Sequence, residues 1–248
     1  MGWGSAIVRR VLTYLWGRMS CARGKSGRSR NLKVEPLSGI GIKQALVRLG
    51  KPYMPAEPAG RTAEKLSGVV PDLLLDVWRA VGFSGHADGL FWLCDPDEWQ
   101  SAVDDWISGV ELPFRDEWTP FARTAFGRII LWGKNTGRSL TIVPQDGFII
   151  PVDQSSNMVD DLDVAIQLLV ALRSDNEMLD EEGDDNKPLF RRLNKRLGGL
   201  NSSTVYGCVP AVGLGGSFTP RGMAVVNAVD HVRFLSTVTQ RQVMNWKF

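Results

Sequence analysis

The chain has 248 residues, enough for one large or two small domains, and its 44% hydrophobic and 23% charged content fits an ordinary globular protein. Its net charge of +2 is uneven: residues 1–33 hold eight Lys/Arg and no acid, which leaves 21 bases against 27 acids in residues 34–248, a body near −6. Three cysteines (Cys21, Cys94, Cys208) without CxxC or zinc-type spacing exclude a disulfide framework and a cysteine metal site and fit a reducing cytoplasm. No run approaches the roughly 18 apolar residues of a membrane helix.

In chain order, Val11 to Gly17 is a short uncharged run that Arg18 breaks, with no cleavage pattern after it. Cys21 to Arg30 alternates Gly, Ser and Arg and reads as disordered. Residues 1–33 are therefore expected to be a dispensable basic extension; a basic arm for nucleic acid or membrane is the alternative. Order is expected from Pro36. Ile42, Leu46 and Leu49 fall at helical spacing before Gly50 and Pro52. A second helix starts near Pro71, carries Leu74, Val77, Trp78 and Val81 on one stripe, and stops at Gly82. Gly89 to Leu93 reads as a buried strand. Asp95 is placed to cap a helix with Pro96 in its first turn and Trp99, Val103, Trp106 and Ile107 on one face.

Residues 119–152 predict an antiparallel meander. Strand-length runs at 121–126, 128–132, 139–143 and 148–150 are separated by Gly127, by Asn135 to Gly137 and by Asp146-Gly147. Five of the nine tryptophans lie between Phe83 and Trp132, and large rings of this kind bury about 150–250 Å² each. The order of elements predicts an α+β fold, helices packed on an antiparallel meander over 34–152. A smaller, mostly helical α+β domain follows over 153–248.

In that second segment, Asp160, Asp161 and Asp163 introduce a helix outlined by Leu162, Ile166, Leu169, Val170 and Arg173. Then come Asp175, Glu177, Asp180, Glu181, Glu182, Asp184 and Asp185, seven carboxylates in eleven residues without a base. A basic helix over Pro188–Leu197, an apolar run from Tyr206 to Val212 and a last helix from Met223 to Val238 complete the reading.

Catalytic signatures are weak. Gly133 to Ser139 has three residues between its glycines where a phosphate loop needs four, with Arg138 in place of Lys, so a hairpin turn is expected. Gly213 to Ser217 fits neither a dinucleotide fingerprint nor a nucleophile elbow. His86 and His231 are the only histidines and fall in different segments. The acidic run lacks the spacing of a calcium loop. No catalytic residue, metal ligand or cofactor is assigned. Carboxylates can instead face a basic protein, and proteins that cut DNA are basic because they must neutralise phosphates.

Several motifs together resemble a family. Gly85-His-Ala-Asp-Gly-Leu-Phe-Trp92, Ala122-Arg-Thr-Ala-Phe-Gly127 and Leu131-Trp-Gly-Lys-Asn-Thr-Gly-Arg-Ser-Leu-Thr141 resemble the GAD-like domain of bacterial immunity proteins against type VI secretion DNase effectors. Gly183-Asp-Asp-Asn-Lys-Pro-Leu-Phe190, Leu197-Gly198, Tyr206-Gly-Cys-Val-Pro-Ala211 and Leu214-Gly-Gly216 resemble that family's C-terminal domain. The resemblance implies a cytoplasmic, non-enzymatic inhibitor that binds a cognate secreted DNase and protects the producing cell and its sisters. It names no membrane and no cofactor. A nucleic-acid-binding regulator acting through residues 1–33 is the alternative. Gly85, Gly89, Trp92, Phe126, Gly127 and Trp132 are expected as motif core. His86 and Asp88, on an exposed turn, and Asp175, Glu177, Asp180, Glu181, Glu182, Asp184 and Asp185 are the expected toxin contacts.

Overall fold

The protein's structure, a computed structural model, describes residues 37–172 and 179–244. The basic extension, Arg173, Asp175 and Glu177 lie outside them. Helix α1 (Leu37–Leu49) ends where Gly50 turns left-handed, at φ 68°. After the short α2 (Gly60–Lys65), helix α3 (Asp72–Val81) follows Pro71 and stops at Gly82. Gly82 is required twice over: its φ is 57°, and a Cβ there would run into the Glu57 carbonyl.

Strands β1 (Gly85–His86) and β2 (Phe91–Leu93) flank a tight turn. Asp95 then caps α4 (Pro96–Ile107), its carboxylate accepting from the Asp97 N–H at 3.0 Å. The meander follows as β3 (Trp118–Thr124), β4 (Ile129–Gly133), β5 (Gly137–Val143) and β6 (Phe148–Pro151). Successive strands pair antiparallel in chain order. Left-handed glycines at 127, 137 and 147 close the turns.

Side chains alternate across β4 and divide the core. Ile130 and Trp132 join a cluster built with α1, α2 and α3, while Ile129 and Leu131 join one built with α4. The sheet is thus covered on both faces, which is why β4 reads as an unbroken apolar run. The segment after residue 152 supplies cover to each face. Helix α5 (Asp161–Ala171) places Leu168 and Leu169 in the first cluster, and α7 (Ala228–Val238) places Val232 and Leu235 in the second. Between them lie α6 (Phe190–Leu197) and the hairpin of β7 (Thr204–Cys208) with β8 (Met223–Asn227). A last strand, β9 (Gln242–Val243), joins the free edge of β6 in parallel, so the seven-stranded order is β1-β2-β3-β4-β5-β6-β9. The fold is α+β.

Two expectations are corrected. Residues 223–227 are a strand, not the start of a helix: Val225 and Val226 are β-branched, and Asn227 caps α7 by accepting from the Asp230 N–H at 3.0 Å. On α5, Leu162, Ile166 and Val170 face solvent, while Leu168, Leu169 and Ala171 face the core.

Candidate interaction surface

The turn between β1 and β2 is held from inside. Gly85 lies under the Trp92 ring, where a Cβ would sit 2.7 Å from the ring atoms, and the Trp92 indole N–H donates to the Gly89 carbonyl at 2.7 Å. Ala87 (φ 50°) and Asp88 (φ 56°) are consecutive non-glycine residues in the left-handed region. This conformation leaves the Asp88 side chain exposed. His86 is corrected: it is fully buried, its Nε2 is 2.8 Å from the Ser84 hydroxyl, and burial lowers its pKa. It is a core residue, not the exposed one expected.

Tyr53 ties this turn to the second segment. Its ring packs edge-on to Trp92 at 6.1 Å and lies against Gly89, while its hydroxyl sits where a Gly199 side chain would stand. The loop after α6 is fixed further by the Tyr206 hydroxyl, which donates to the Gly198 carbonyl at 2.6 Å. That loop also meets Arg123, a motif residue to which the sequence alone assigns no role. Its guanidinium stacks over Trp92 and Trp99 and donates to the carbonyls of Asn201 and Ser202 at 3.2 and 2.7 Å. Burial draws its pKa down to about 10, so it remains a cation at neutral pH.

The acidic run is largely built into the fold. Asp180 accepts from the N–H groups of Glu181 (2.7 Å) and Phe190 (2.9 Å), the second of these opening α6. Burial pushes its carboxyl up to about 6, against the lowering by those two amides. Glu181 is buried and pairs with buried Arg128 at 2.6 Å, which corrects its expected role as an exposed contact. Asp185 pairs with Arg192 at 2.9 Å. Glu182, Asp184 and Asp185 reach the surface, as Asp88 does.

These carboxylates bracket α6. The acidic loop enters its first turn and the Asp88 turn meets its far end through Tyr53 and Gly199. Eight residues at about 1.5 Å each put roughly 12 Å between the two ends. Arg191 and Lys195 are exposed along that length, so the surface alternates in sign. The motif residues Gly85, Gly89, Trp92, Phe126, Gly127 and Trp132 are all buried.

The loop that the sequence suggests for chemistry is occupied otherwise. The loop at Gly133 to Ser139 is the β4–β5 hairpin, and its interior is filled by Asp116. That carboxylate accepts from the Asn135 N–H at 2.9 Å and the Thr136 hydroxyl at 2.5 Å. A loop already holding a carboxylate repels phosphate. Burial pushes the Cys94 thiol up, away from the nucleophilic thiolate. Among the described residues no group of three or more His, Cys, Asp or Glu is arranged to hold a metal ion, and no helix is long and apolar enough to cross a membrane.

Comparison with known proteins gives two family matches in chain order. The GAD-like domain matches residues 41–145, and the C-terminal domain of the T6SS immunity protein Tdi1 matches residues 163–239. No curated protein matches the chain. Among solved structures, the crystal structure of Atu4351 from Agrobacterium tumefaciens superposes with a TM-score of 0.71 at 22% identity, over 81% of this chain and 90% of that one. At this identity the likeness shows the shared fold.

Proposed function

We propose that this chain, a type VI secretion system immunity protein in which a GAD-like domain precedes a Tdi1 C-terminal domain, binds and inhibits a cognate DNase toxin in the cytoplasm of the producing cell. The observation that carries the reading is the pair of matches in one chain. Physical chemistry supports the choice of a nuclease. A DNA-cutting partner presents a basic surface, and residues 34–248 carry a net charge near −6, with Asp88, Glu182, Asp184 and Asp185 exposed. Complementary fields of this kind raise association rates toward 10⁸–10⁹ M⁻¹s⁻¹ at low salt. Inhibition follows from occupying the toxin's surface, so no bond is made or broken on this chain.

The test is co-purification with the product of the adjacent gene, expected to be a secreted nuclease, followed by a DNA-cleavage assay with and without the chain. A stable pair and intact DNA at equimolar ratio are expected. Cleavage that persists at large excess, with no recoverable pair, would refute the reading.

A further inference from the structure

Helix α5 is apolar on two sides. Leu168, Leu169 and Ala171 are buried in the core, yet the opposite side carries Leu162, Ile166 and Val170 at 53%, 41% and 40% exposure. These three recur every fourth residue and so form one line about 12 Å long. Val159, just before the helix, is a further exposed apolar residue. It precedes the Asp160 N-cap, the position from which an apolar residue usually folds back onto the first turn, but it is 81% exposed instead. Scattered exposed apolar residues are ordinary. Three in one line on a helix whose other side is already buried are less ordinary, because they give α5 a second apolar face. Helix stability does not call for this line: exposed positions favour Glu, Lys or Ala, and Ile and Val are poorer formers.

We infer that the outer face of α5, Leu162, Ile166 and Val170, is the apolar anchor on which the toxin docks, which rests on the proposed immunity function. The charges around the line decide the occupant. Asp160, Asp161 and Asp163 border its N-terminal end, with Asp153 exposed shortly before. An apolar line with carboxylates at one end complements a basic protein with an apolar patch. It disfavours a second copy docked through the same face, because each copy would bring the same Asp153, Asp160, Asp161 and Asp163 carboxylates to the contact. The helix also begins the segment matched to the immunity C-terminal domain, with Ile166 and Val170 inside it. Desolvated apolar centres govern how long a complex lasts, whereas surrounding charges govern how fast it forms.

The test compares the full-length chain with its Leu162→Gln/Ile166→Gln double variant against purified toxin by surface plasmon resonance. Glutamine keeps helix propensity and adds no charge. The expected result is an off-rate raised about 100-fold, an on-rate within threefold and an unchanged melting temperature. In a second measurement, Ile166→Cys reacts with a polar maleimide in the free chain and is protected in the complex. An unchanged off-rate, or labelling as fast in the complex as in the free chain, overturns the inference while leaving the immunity function standing. A free-chain dimer that the double variant dissociates, or a free monomer in which position 166 is already shielded, overturns it in favour of a second copy or of the chain's own residues. Absence of any wild-type binding removes the function and the surface together.

Discussion

Arg128 and Glu181 meet at 2.6 Å with both side chains closed off from water, and an ion pair in that setting is strongly asymmetric to perturbation. Removing one partner withdraws a short charge-assisted hydrogen bond from a buried charge, which costs about 3–5 kcal/mol. Glu181→Ala should therefore lower unfolding free energy by that amount in urea titration, whereas Glu182→Ala, on the exposed neighbour, should fall within about 0.5 kcal/mol of the parent. Equal effects would place both side chains in the same environment. The preceding carboxylate makes a pH-dependent counterpart. Burial raises Asp180 to about 6 in the folded chain, against about 3.9 in an unfolded one. The folded state then binds more protons between those values, so this group's stabilising contribution is complete below about pH 4 and is lost as pH rises through 6. Asp180→Asn still offers an oxygen to the Phe190 and Glu181 amides but cannot titrate. Its melting temperature should fall less than the parent's between pH 4.5 and 7.5; parallel curves would show that Asp180 does not titrate in that range.

At the scale of elements, the contact between Gly85 and Trp92 sets how β1 lies on β2. A Cβ at Gly85 would come within 2.7 to 2.9 Å of three ring atoms of a fully buried indole. That ring cannot move without breaking its hydrogen bond to Gly89. Gly85→Ala should destabilise the chain by about 1–3 kcal/mol, the usual cost of overpacking, and shift the tryptophan near-ultraviolet circular dichroism; a neutral substitution would mean the turn yields freely. Such local packing is invisible in a sequence, but its boundaries are not. Asp95-Pro96, Asp160, Gly82, Gly127 and Gly147 each mark an element end because caps and left-handed turns admit few residue types. Periodicity was less informative where apolar residues occur on more than one face. It assigns Leu162, Ile166 and Val170 to the same stripe as buried Leu169, and only the packing on α1, α3 and β5 decides which side turns inward. The Met223–Asn227 strand is ambiguous for a related reason, since the short apolar run Met223 to Val226 fits either element. At the candidate surface, Asp88 could be placed outward from its turn, but the burial of His86 and Glu181 depends on Ser84 and Arg128, partners that no spacing rule connects to them.

The molecule as a whole is knit across the two family-matched segments. Trp106 of α4 donates to the Val232 carbonyl of α7 at 2.9 Å, and Arg233 pairs with Asp105 at 2.7 Å. Arg123 and Tyr53 join the first segment to the loop after α6. Both core clusters draw residues from either side of residue 152. One cooperative transition is therefore expected in denaturant, with fluorescence and circular dichroism coincident; separate midpoints would mean that the segments fold independently. Rigid assembly also fixes where the surface charges stand relative to one another, and this bears on toxin capture. Asp88, Glu182 and Asp184 project from the scaffold, so reversing them to lysine changes the field met by an approaching partner while the buried Arg128–Glu181 pair stays intact. The Debye length is about 30 Å at 0.01 M salt and about 3 Å at 1 M. If the toxin is basic, the triple reversal should slow association about tenfold or more at the lower salt and leave it nearly unchanged at the higher, with little effect on dissociation. A loss of equal size at both salt levels would mean that the carboxylates act through direct contact; no loss at either would place the docking surface elsewhere on the chain.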